Sequence, residues 1–363
     1  MKSRYLITGG AGFIGSNVAH HYLSQGCRVT IVDNFARRGS RDNAAWLRST
    51  HGRNVTVVEG DISRTDRTLQ QLVEKVDVVF HLAAQVAVTT SVIDPRLDFQ
   101  VNALGTFNVL EAVRASSTKP ILIYASTNKV YGELVQLEAE RSGSRYVYRD
   151  CPHGVGEAMN LDFHSPYGCS KGTGDQYVLD YARIYGLRTV AFRQSCIYGP
   201  HQFGMEDQGW VAWFALRALK QLPVTIFGDG QQVRDVLHVY DLIRAYDAAI
   251  AAIDRTSGQA FNIGGGPANT LSLLELIRML EVRLGHPVQY SFDEWRPGDQ
   301  RIYVSDIRKA RERLAWEPQI VPEEGIRQMI EWLAENEHRV SFANDTLEFV
   351  PRPAHAPTNV AVG

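Results

Sequence analysis

The chain has 363 residues, of which 44% are hydrophobic and 21% charged, and its formal net charge is −2. This composition is typical of a globular protein of about two domains, and the lack of a basic excess excludes a dedicated nucleic-acid binder. No apolar run reaches the ~18 residues of a membrane-spanning helix. The four cysteines show neither disulfide-type nor zinc-type spacing. We therefore expect a protein of the reducing cytoplasm, with no metal ion and no membrane partner.

Predicted strands and helices alternate in the first half of the chain. Strands are predicted at residues 5–8, 28–33, 55–59, 76–82, 121–126 and 189–193, and helices at 16–25, 98–116 and 166–185. Apolar strands that alternate with helices are typical of a parallel sheet covered on both faces. The pattern therefore predicts an α/β fold with a doubly wound parallel sheet of the Rossmann type.

The composition changes after residue 193. Gly, Pro, Gln and Trp become frequent between residues 199 and 230, and further helices are predicted at 271–284 and 323–335. Residues 341–363 contain three prolines and little periodicity, which is typical of a tail outside the core. We predict a sheet domain over residues 1–192, to which later segments return. A smaller C-terminal lobe over 193–340 and a tail over 341–363 follow it.

Three glycines form a turn between the first predicted strand and the first predicted helix. Gly9, Gly12 and Gly15 are followed roughly 20 residues later by an acid at a strand end, Asp33. Glycines let backbone N–H groups approach a pyrophosphate, which the positive end of the helix then stabilises. A carboxylate at Asp33 repels a 2′-phosphate and so favours NAD over NADP, whereas the neighbouring Arg37 and Arg38 favour the phosphate.

A tyrosine and a lysine lie four residues apart at the start of the helix predicted at 166–185. Ser165 suits its N-cap and Pro166 its first position, so that Tyr167 and Lys171 share one helix face. A free tyrosine has a pKa near ~10, but an ammonium, a helix N-terminus and a nicotinamide cation would all favour the phenolate. Tyr167 is therefore a candidate general base for a hydroxyl group.

Two hydroxyl residues follow the strand predicted at 121–126. Ser126 and Thr127 lie at its carboxyl end, where open parallel sheets bind ligands. One of the two hydroxyls is expected to hydrogen-bond a substrate oxygen beside Tyr167.

The chain resembles the nucleotide-sugar epimerases and dehydratases of the extended short-chain dehydrogenase/reductase family over about residues 1–340. The resemblance is carried by TGGAGFIG at 8–15, GDI at 60–62, HLAAQ at 81–85, SPYGCSK at 165–171, IYGP at 197–200, FGDGQQVRDVLHVYDL at 227–242 and RPGD at 296–299. It implies tightly bound NAD and a catalytic group of Thr127, Tyr167 and Lys171. The cofactor residues that it implies are Gly9, Gly12, Phe13, Ile14, Gly15, Asp33, Asn34, Asp61, Ile62, Leu82, Ala83, Gln85, Asn102, Ser126, Tyr167 and Lys171.

The resemblance also implies a nucleotide-diphosphate sugar as the substrate, bound mainly by the smaller lobe. The substrate residues that it implies are Thr127, Gln208, Arg234, Arg296 and Asp299. The predicted helices at 102–116 and 166–185 are similar to those that pair between subunits in the family. They imply a homodimer or a larger even-numbered assembly such as a homotetramer.

Segments 126–132, 162–172 and 192–214 resemble the branch of the family that inverts carbon 2 of CDP-linked deoxy sugars through a transient 2-keto sugar. Asn128 and Lys129 stand where the dehydratases carry carboxylic acids, and neither can replace those acids. Cys196, where many relatives have Asn, is expected to alter the site near the nicotinamide. A 4-epimerase acting on a UDP- or GDP-sugar uses the same groups and remains the main alternative. A non-catalytic NAD-binding sensor would not need Tyr167 and Lys171.

Overall fold

A computed structural model describes residues 3–64, 67–296 and 299–340, and the predicted tail at 341–363 lies outside the described residues. The largest element is a seven-stranded sheet in which every neighbouring pair is parallel. Its strands are β1 (Arg4–Thr8), β2 (Arg28–Asp33), β3 (Val55–Glu59), β4 (Val78–His81), β5 (Ile121–Thr127), β6 (Thr189–Gln194) and β7 (Gln259–Ile263). This sheet is the predicted doubly wound α/β fold.

The strand order β7-β6-β5-β4-β1-β2-β3 reverses direction between β1 and β4. In open parallel sheets, ligands bind outside the carboxyl ends of the strands at such a switch point. The register sets Ile7 beside Ile31 on one side and beside Phe80 on the other. The glycine turn after β1 and the polar residues after β4 and β5 therefore meet at one edge of the sheet.

Side chains alternate between the two faces of the sheet, and helices cover both. Tyr5 and Ile7 belong to one apolar core, whereas Leu6 points into the other. The helices that follow the first five strands are Phe13–Ser24, Ser40–His51, Arg67–Val73, Val88–Ile93, Pro95–Asp98, Gly105–Ala115 and Ser165–Tyr185, with short 3₁₀ turns at Gly52–Asn54 and Asn128–Tyr131. The helix predicted at 98–116 is not continuous, because Phe99–Leu104 forms a π-helical segment.

The smaller lobe is built around the strand Val233–His238, which pairs with Cys196–Tyr198, Thr270–Ser272 and Ile302–Tyr303. Two further strand pairs join Val224–Phe227 to Tyr290–Asp293 and Ala139–Ser142 to Arg145–Tyr148. The remaining helices are Trp210–Leu219, Val239–Ala251, Ile253–Thr256, Leu273–Leu284, Arg308–Leu314, Pro322–Glu335 and Glu337–Val340. Trp210–Leu219, Leu273–Leu284 and Pro322–Glu335 share one apolar core in this lobe.

The helix predicted at 271–284 begins two residues later than expected. Residues Thr270–Ser272 extend as a strand, and Ser272 then caps the helix through a reciprocal pair of hydrogen bonds with Glu275. Later segments do return to the main sheet, since β7 pairs with β6 from Gln259 to Ile263. The division at residue 193 remains a prediction. Among the described residues, no helix combines the length and hydropathy needed to cross a bilayer.

Candidate active site

A cleft at the carboxyl edge of the sheet holds two adjoining cavities. The first, of about 300 Å³, is lined by the glycine turn and is called the glycine cavity; the second, of about 320 Å³, contains Arg234 and Arg296 and is called the arginine cavity. Both cavities are lined by Thr127, Asn128, Tyr167, Ser195, Ile197, Gln202, Gln208 and Val86. Tyr167 and Thr127 therefore face both compartments.

The glycine turn leaves no room for side chains. Gly9 has φ +67, and a Cβ atom there would lie 2.7 Å from the backbone of Ala83. The helix Phe13–Ser24 begins directly after Gly12, which offers no side-chain cap. Its first N–H groups are thus left for a ligand, and a helix N-terminus favours an anion.

Asp33 lies at the end of β2 and lines the glycine cavity. Its carboxylate accepts backbone hydrogen bonds from Ala11 at 3.0 Å and Phe35 at 2.8 Å, so its position is fixed. Burial raises the pKa of this carboxyl, and the backbone N–H groups oppose that change. Of the two arginines expected to favour a 2′-phosphate, Arg37 donates to Gln208 Oε1 at 2.8 Å, and Arg38 lines the glycine cavity. The cavity therefore fits NAD, with the glycine turn at the pyrophosphate and Asp33 at the adenosine ribose.

Most of the predicted cofactor residues line the glycine cavity. They are Gly9, Gly12, Phe13, Ile14, Gly15, Asp33, Asn34, Asp61, Ile62, Leu82, Ala83, Ser126, Tyr167 and Lys171. Gln85 and Asn102 do not line it, and their contact with the cofactor stays a prediction. Asn102 exchanges two hydrogen bonds of 2.9 Å with the backbone of Gln85, and the Gln85 amide donates to Asp98 at 3.0 Å. Both side chains are thus buried behind the cavity, where they hold the loop after β4.

Tyr167 is positioned by the first turn of its helix. The helix begins at Ser165, so its N-cap is His164 rather than the predicted Ser165. Ser165 has φ +67, and its Oγ accepts a hydrogen bond from the N–H of Gly168 at 3.2 Å. The N–H of Tyr167 donates to Ser91 Oγ at 3.1 Å, which joins this helix to Val88–Ile93. The backbone that carries the phenol is therefore fixed by one bond within its own helix and one bond to the helix Val88–Ile93.

Burial controls the protonation of the catalytic candidates. It raises the pKa of Tyr167 to about 12, although the hydrogen bond with Thr127 lowers it. The expected phenolate is thus not favoured by the protein alone. Burial also lowers the pKa of Lys171 to about 7, against the opposing charges of Asp98 and Asp175. A pKa of about 7 leaves Lys171 only partly protonated at neutral pH. Further positive charge beside Tyr167 is therefore needed to favour release of the tyrosine proton.

Two carboxylates support these residues from behind, and sequence reasoning missed both. Asp98 accepts hydrogen bonds from Ser170 and Asn102, and Asp175 accepts from Ser126 Oγ at 2.7 Å. Asp175 also forms a buried ion pair with Arg193 at 2.9 Å. Apart from Asn102, which is 4 positions from Asp98, these partners are 18 to 72 positions away in sequence, so no short motif marks the pairing.

The arginine cavity contains the predicted substrate residues Arg234, Arg296 and Asp299. The guanidinium of Arg296 lies 3.7 Å from the centre of the Phe227 ring and donates to the carbonyl of Glu206 at 3.1 Å. Gln208 lines both cavities rather than the arginine cavity alone. A cavity with arginines and an aromatic ring suits a phosphorylated ligand that carries a flat base.

Cys196 also lines the arginine cavity, where the indole N–H of Trp210 donates to its Sγ at 3.5 Å. It does not line the glycine cavity, and its expected effect near the nicotinamide stays a prediction. In the part of the chain that the structure describes, no cluster of three His, Cys, Asp or Glu side chains is arranged to hold a metal ion.

Known proteins match this fold and this site. The sequence profile of the NAD dependent epimerase/dehydratase family matches residues 5–264. CDP-paratose 2-epimerase of Salmonella typhi is 47% identical over 336 residues, which are 91% of this chain and 98% of the relative. Among solved structures, the UDP-glucose 4-epimerase of Thermotoga maritima with UDP-glucose has TM-score 0.77 and 32% identity, covering 92% of this chain and 99% of that one.

A third match bears on the cofactor. The UDP-glucuronic acid 4-epimerase of Bacillus cereus, in complex with UDP-glucuronic acid and NAD, has TM-score 0.78 and 29% identity, over 92% of this chain and 99% of that one. The predicted fold, the cofactor NAD and the class of nucleotide-sugar epimerases are confirmed by these matches. The chain belongs to the NAD dependent epimerase/dehydratase family.

Proposed function

We propose that this protein inverts carbon 2 of a CDP-linked deoxy sugar through a transient 2-keto sugar. The observation that carries the proposal is its 47% identity, over 91% of the chain, to a relative named CDP-paratose 2-epimerase. The site agrees with that chemistry, because Tyr167 and Thr127 face a cofactor compartment on one side and a substrate compartment on the other.

The residues that line the two cavities have separate roles in this reaction. NAD, when bound, would supply a nicotinamide that can accept and return a hydride and that carries positive charge. Tyr167 accepts the proton of the hydroxyl at carbon 2 and later returns it, while Thr127 hydrogen-bonds the same oxygen. Lys171 adds positive charge that favours the phenolate. Arg234 and Arg296 hold the nucleotide diphosphate, so that the keto sugar is free to turn over within the cleft.

The residues beside Thr127 argue against a dehydratase. Asn128 and Lys129 line the arginine cavity and offer no carboxylic acid to protonate a leaving hydroxyl. The presence of Tyr167 and Lys171 at the cavity junction argues against a sensor that only binds NAD, because binding alone needs no such pair. A 4-epimerase remains an outcome of the test below.

The experiment is turnover of a CDP-3,6-dideoxy sugar by the purified holoenzyme in deuterated water, without added NADH. Proton NMR and mass spectrometry read the product. We expect inversion at carbon 2 with the original hydrogen retained, since a hydrogen that leaves and returns as a hydride would not exchange with solvent. Deuterium at carbon 2 would rule out the direct route. Loss of a water mass would identify a dehydratase, and inversion at carbon 4 would establish the alternative.

We also propose that the protein is a homodimer. An exposed apolar face, called the helix face, comprises Val92, Ile93, Leu97, Phe99, Leu104, Phe107, Tyr177, Ile184 and Tyr185. It spans the helices from Val88–Ile93 to Gly105–Ala115 and the helix Ser165–Tyr185, which are among those expected to pair between subunits. Large exposed apolar faces are typical of association surfaces.

Light scattering of the wild type and of Phe107→Glu tests the dimer. We expect twice the chain mass for the wild type at micromolar concentration and a single-chain mass for the variant, because a charge at the face is left without water on association. A wild type that scatters as one chain would contradict the proposal. A place in the reducing cytoplasm also stays a proposal, supported by the four free cysteines.

A further inference from the structure

Lys129 is the cationic side chain nearest in sequence to the catalytic Thr127. It lies in the 3₁₀ turn Asn128–Tyr131, directly after β5, and its N–H donates to Thr127 Oγ1 at 3.2 Å. It lines the arginine cavity together with Arg234 and does not line the glycine cavity. Its side chain therefore belongs to the substrate side of the cleft, next to the point where the chemistry occurs.

The charges around Lys129 indicate what kind of ligand it takes. Burial and the positive charge of Arg234 lower the pKa of its amine to about 8, and the negative charge of Asp299 opposes them. An anion that binds between two cations in one cavity relieves their mutual repulsion and is attracted by both. A phosphate group is the part of a nucleotide sugar that supplies such charge.

The position of the reacting carbon makes this placement specific. The diphosphate of a nucleotide sugar is attached to carbon 1, which is bonded directly to carbon 2 but lies further from carbon 4. A site that brings carbon 2 to Tyr167 must therefore bring the sugar-linked phosphate close to Tyr167 and Thr127 as well. Lys129, two residues after Thr127, is a cation close enough to bind that phosphate. In a site that brings carbon 4 to Tyr167, the sugar-linked phosphate lies further from Thr127.

We propose that Lys129, together with Arg234, binds the sugar-linked phosphate of the substrate and thereby sets carbon 2, rather than carbon 4, beside Tyr167. This inference rests on the proposed function. The earlier argument used Lys129 only as a residue that cannot replace the carboxylic acid of a dehydratase. The present inference gives Lys129 a role of its own, which is to bind a phosphate and so select the reacting carbon.

The test measures nucleotide binding to the NAD-loaded protein by calorimetry, without turnover. The probes are CDP, which carries the second phosphate, and CMP, which lacks it. The variants are Lys129→Met and Lys129→Gln, with Lys129→Arg to restore the charge and Lys75→Met, on the exposed surface, as the matched control. Thermal unfolding and the bound NAD content establish whether each variant is folded. If Lys129→Met does not fold, Lys129→Gln takes its place.

We expect Lys129→Met to weaken CDP binding at least about tenfold and CMP binding less than about twofold, since a charged hydrogen bond is lost only with the second phosphate. Lys129→Arg should restore most of the CDP affinity, and Lys75→Met should change neither. Unchanged CDP binding in Lys129→Met, or equal losses for CDP and CMP, would overturn the inference. A wild type that binds no CDP would overturn it together with the proposed nucleotide.

Product analysis separates this inference from the proposed function. If the wild type inverts carbon 2 and Lys129→Met binds CDP as the wild type does, the inference about Lys129 is wrong and the proposed function stands. If the wild type inverts carbon 4, the proposed function is wrong, and so is the argument that Lys129 sets carbon 2 beside Tyr167. Inversion at carbon 2 together with the selective loss of CDP affinity supports both.

Discussion

The ammonium nitrogen of Lys171 lies 4.3 Å from the centre of the Tyr124 ring, and the hydroxyl of Tyr124 donates to the backbone carbonyl of Lys171 at 3.2 Å. The ring face attracts the ammonium, and the hydrogen bond fixes the helix above it. Gly174 permits this arrangement, because a Cβ there would collide with the Tyr124 hydroxyl. Lys171 is thus oriented by a strand residue in the middle of the sheet.

Replacing Lys171 by Met should lower both turnover and the amount of NAD that survives purification. The ammonium is the cation proposed to favour the Tyr167 phenolate, and Lys171 is also a predicted cofactor residue that lines the glycine cavity. Acid release and quantification of bound nucleotide, with steady-state turnover, measure the two effects separately. A variant with full NAD content and unchanged turnover would remove Lys171 from the mechanism.

Replacing Tyr167 by Phe should leave the fold and the cofactor in place but lower turnover at least ~100-fold, the usual effect of losing a positioned acid–base group. The ring still fills the same buried position, and only the hydroxyl is lost. The NAD content of Tyr167→Phe is therefore the control for Lys171→Met. Near-normal turnover in this variant would show that another group accepts the proton.

Much of this site was predictable from local sequence, because the glycine turn, Asp33 and the Tyr167–Lys171 pair are each marked by short spacing. The strands predicted at 28–33 and 55–59 have the bounds that the structure shows. The hydrogen bonds between Gln85 and Asn102 join separate segments, so spacing does not reveal that the two side chains hold each other outside the glycine cavity. Asp98 and Asp175 could not be found for the same reason, and the π-helical segment Phe99–Leu104 leaves no periodic signal of its own.

Replacing Arg193 by Met should destabilise the protein by about 3–5 kcal/mol, the usual cost of leaving one charge of a buried pair unpaired. The side chains of Arg193 and Asp175 are 5% and 0% exposed, so water cannot solvate the carboxylate that remains. Arg283→Met is the matched control, because its pair with Glu331 is nearly half exposed and should contribute less than about 1 kcal/mol. Urea unfolding of both variants provides the comparison, and equal losses would contradict the prediction.

His201 should make the protein sensitive to acid. Its ring stacks on Trp46 at 3.7 Å, and burial, with smaller effects from Arg339 and His20, lowers its pKa from 6.5 to about 3. Between these values the unfolded chain binds more protons than the folded protein, so this residue destabilises the fold as the pH falls below 6.5. At pH 5 the loss is about 2 kcal/mol.

The variant His201→Phe keeps an aromatic ring against Trp46 but cannot be protonated. We expect the wild type to lose about 2 kcal/mol more than the variant between pH 7.5 and pH 5. Denaturant unfolding at the two pH values measures the difference directly. Parallel losses in the two proteins would mean that His201 is not the group responsible.

The edge strand β7 has a consequence for biosynthesis. Within the described part of the chain it pairs with β6 alone, yet about 65 residues separate the two strands in sequence. At roughly 5–20 residues per second, a ribosome needs about 3 to 13 s to make that stretch. During this interval the emerging chain displays β6 as an open, hydrogen-bonding edge, which is a template for pairing with another nascent chain on the same messenger RNA.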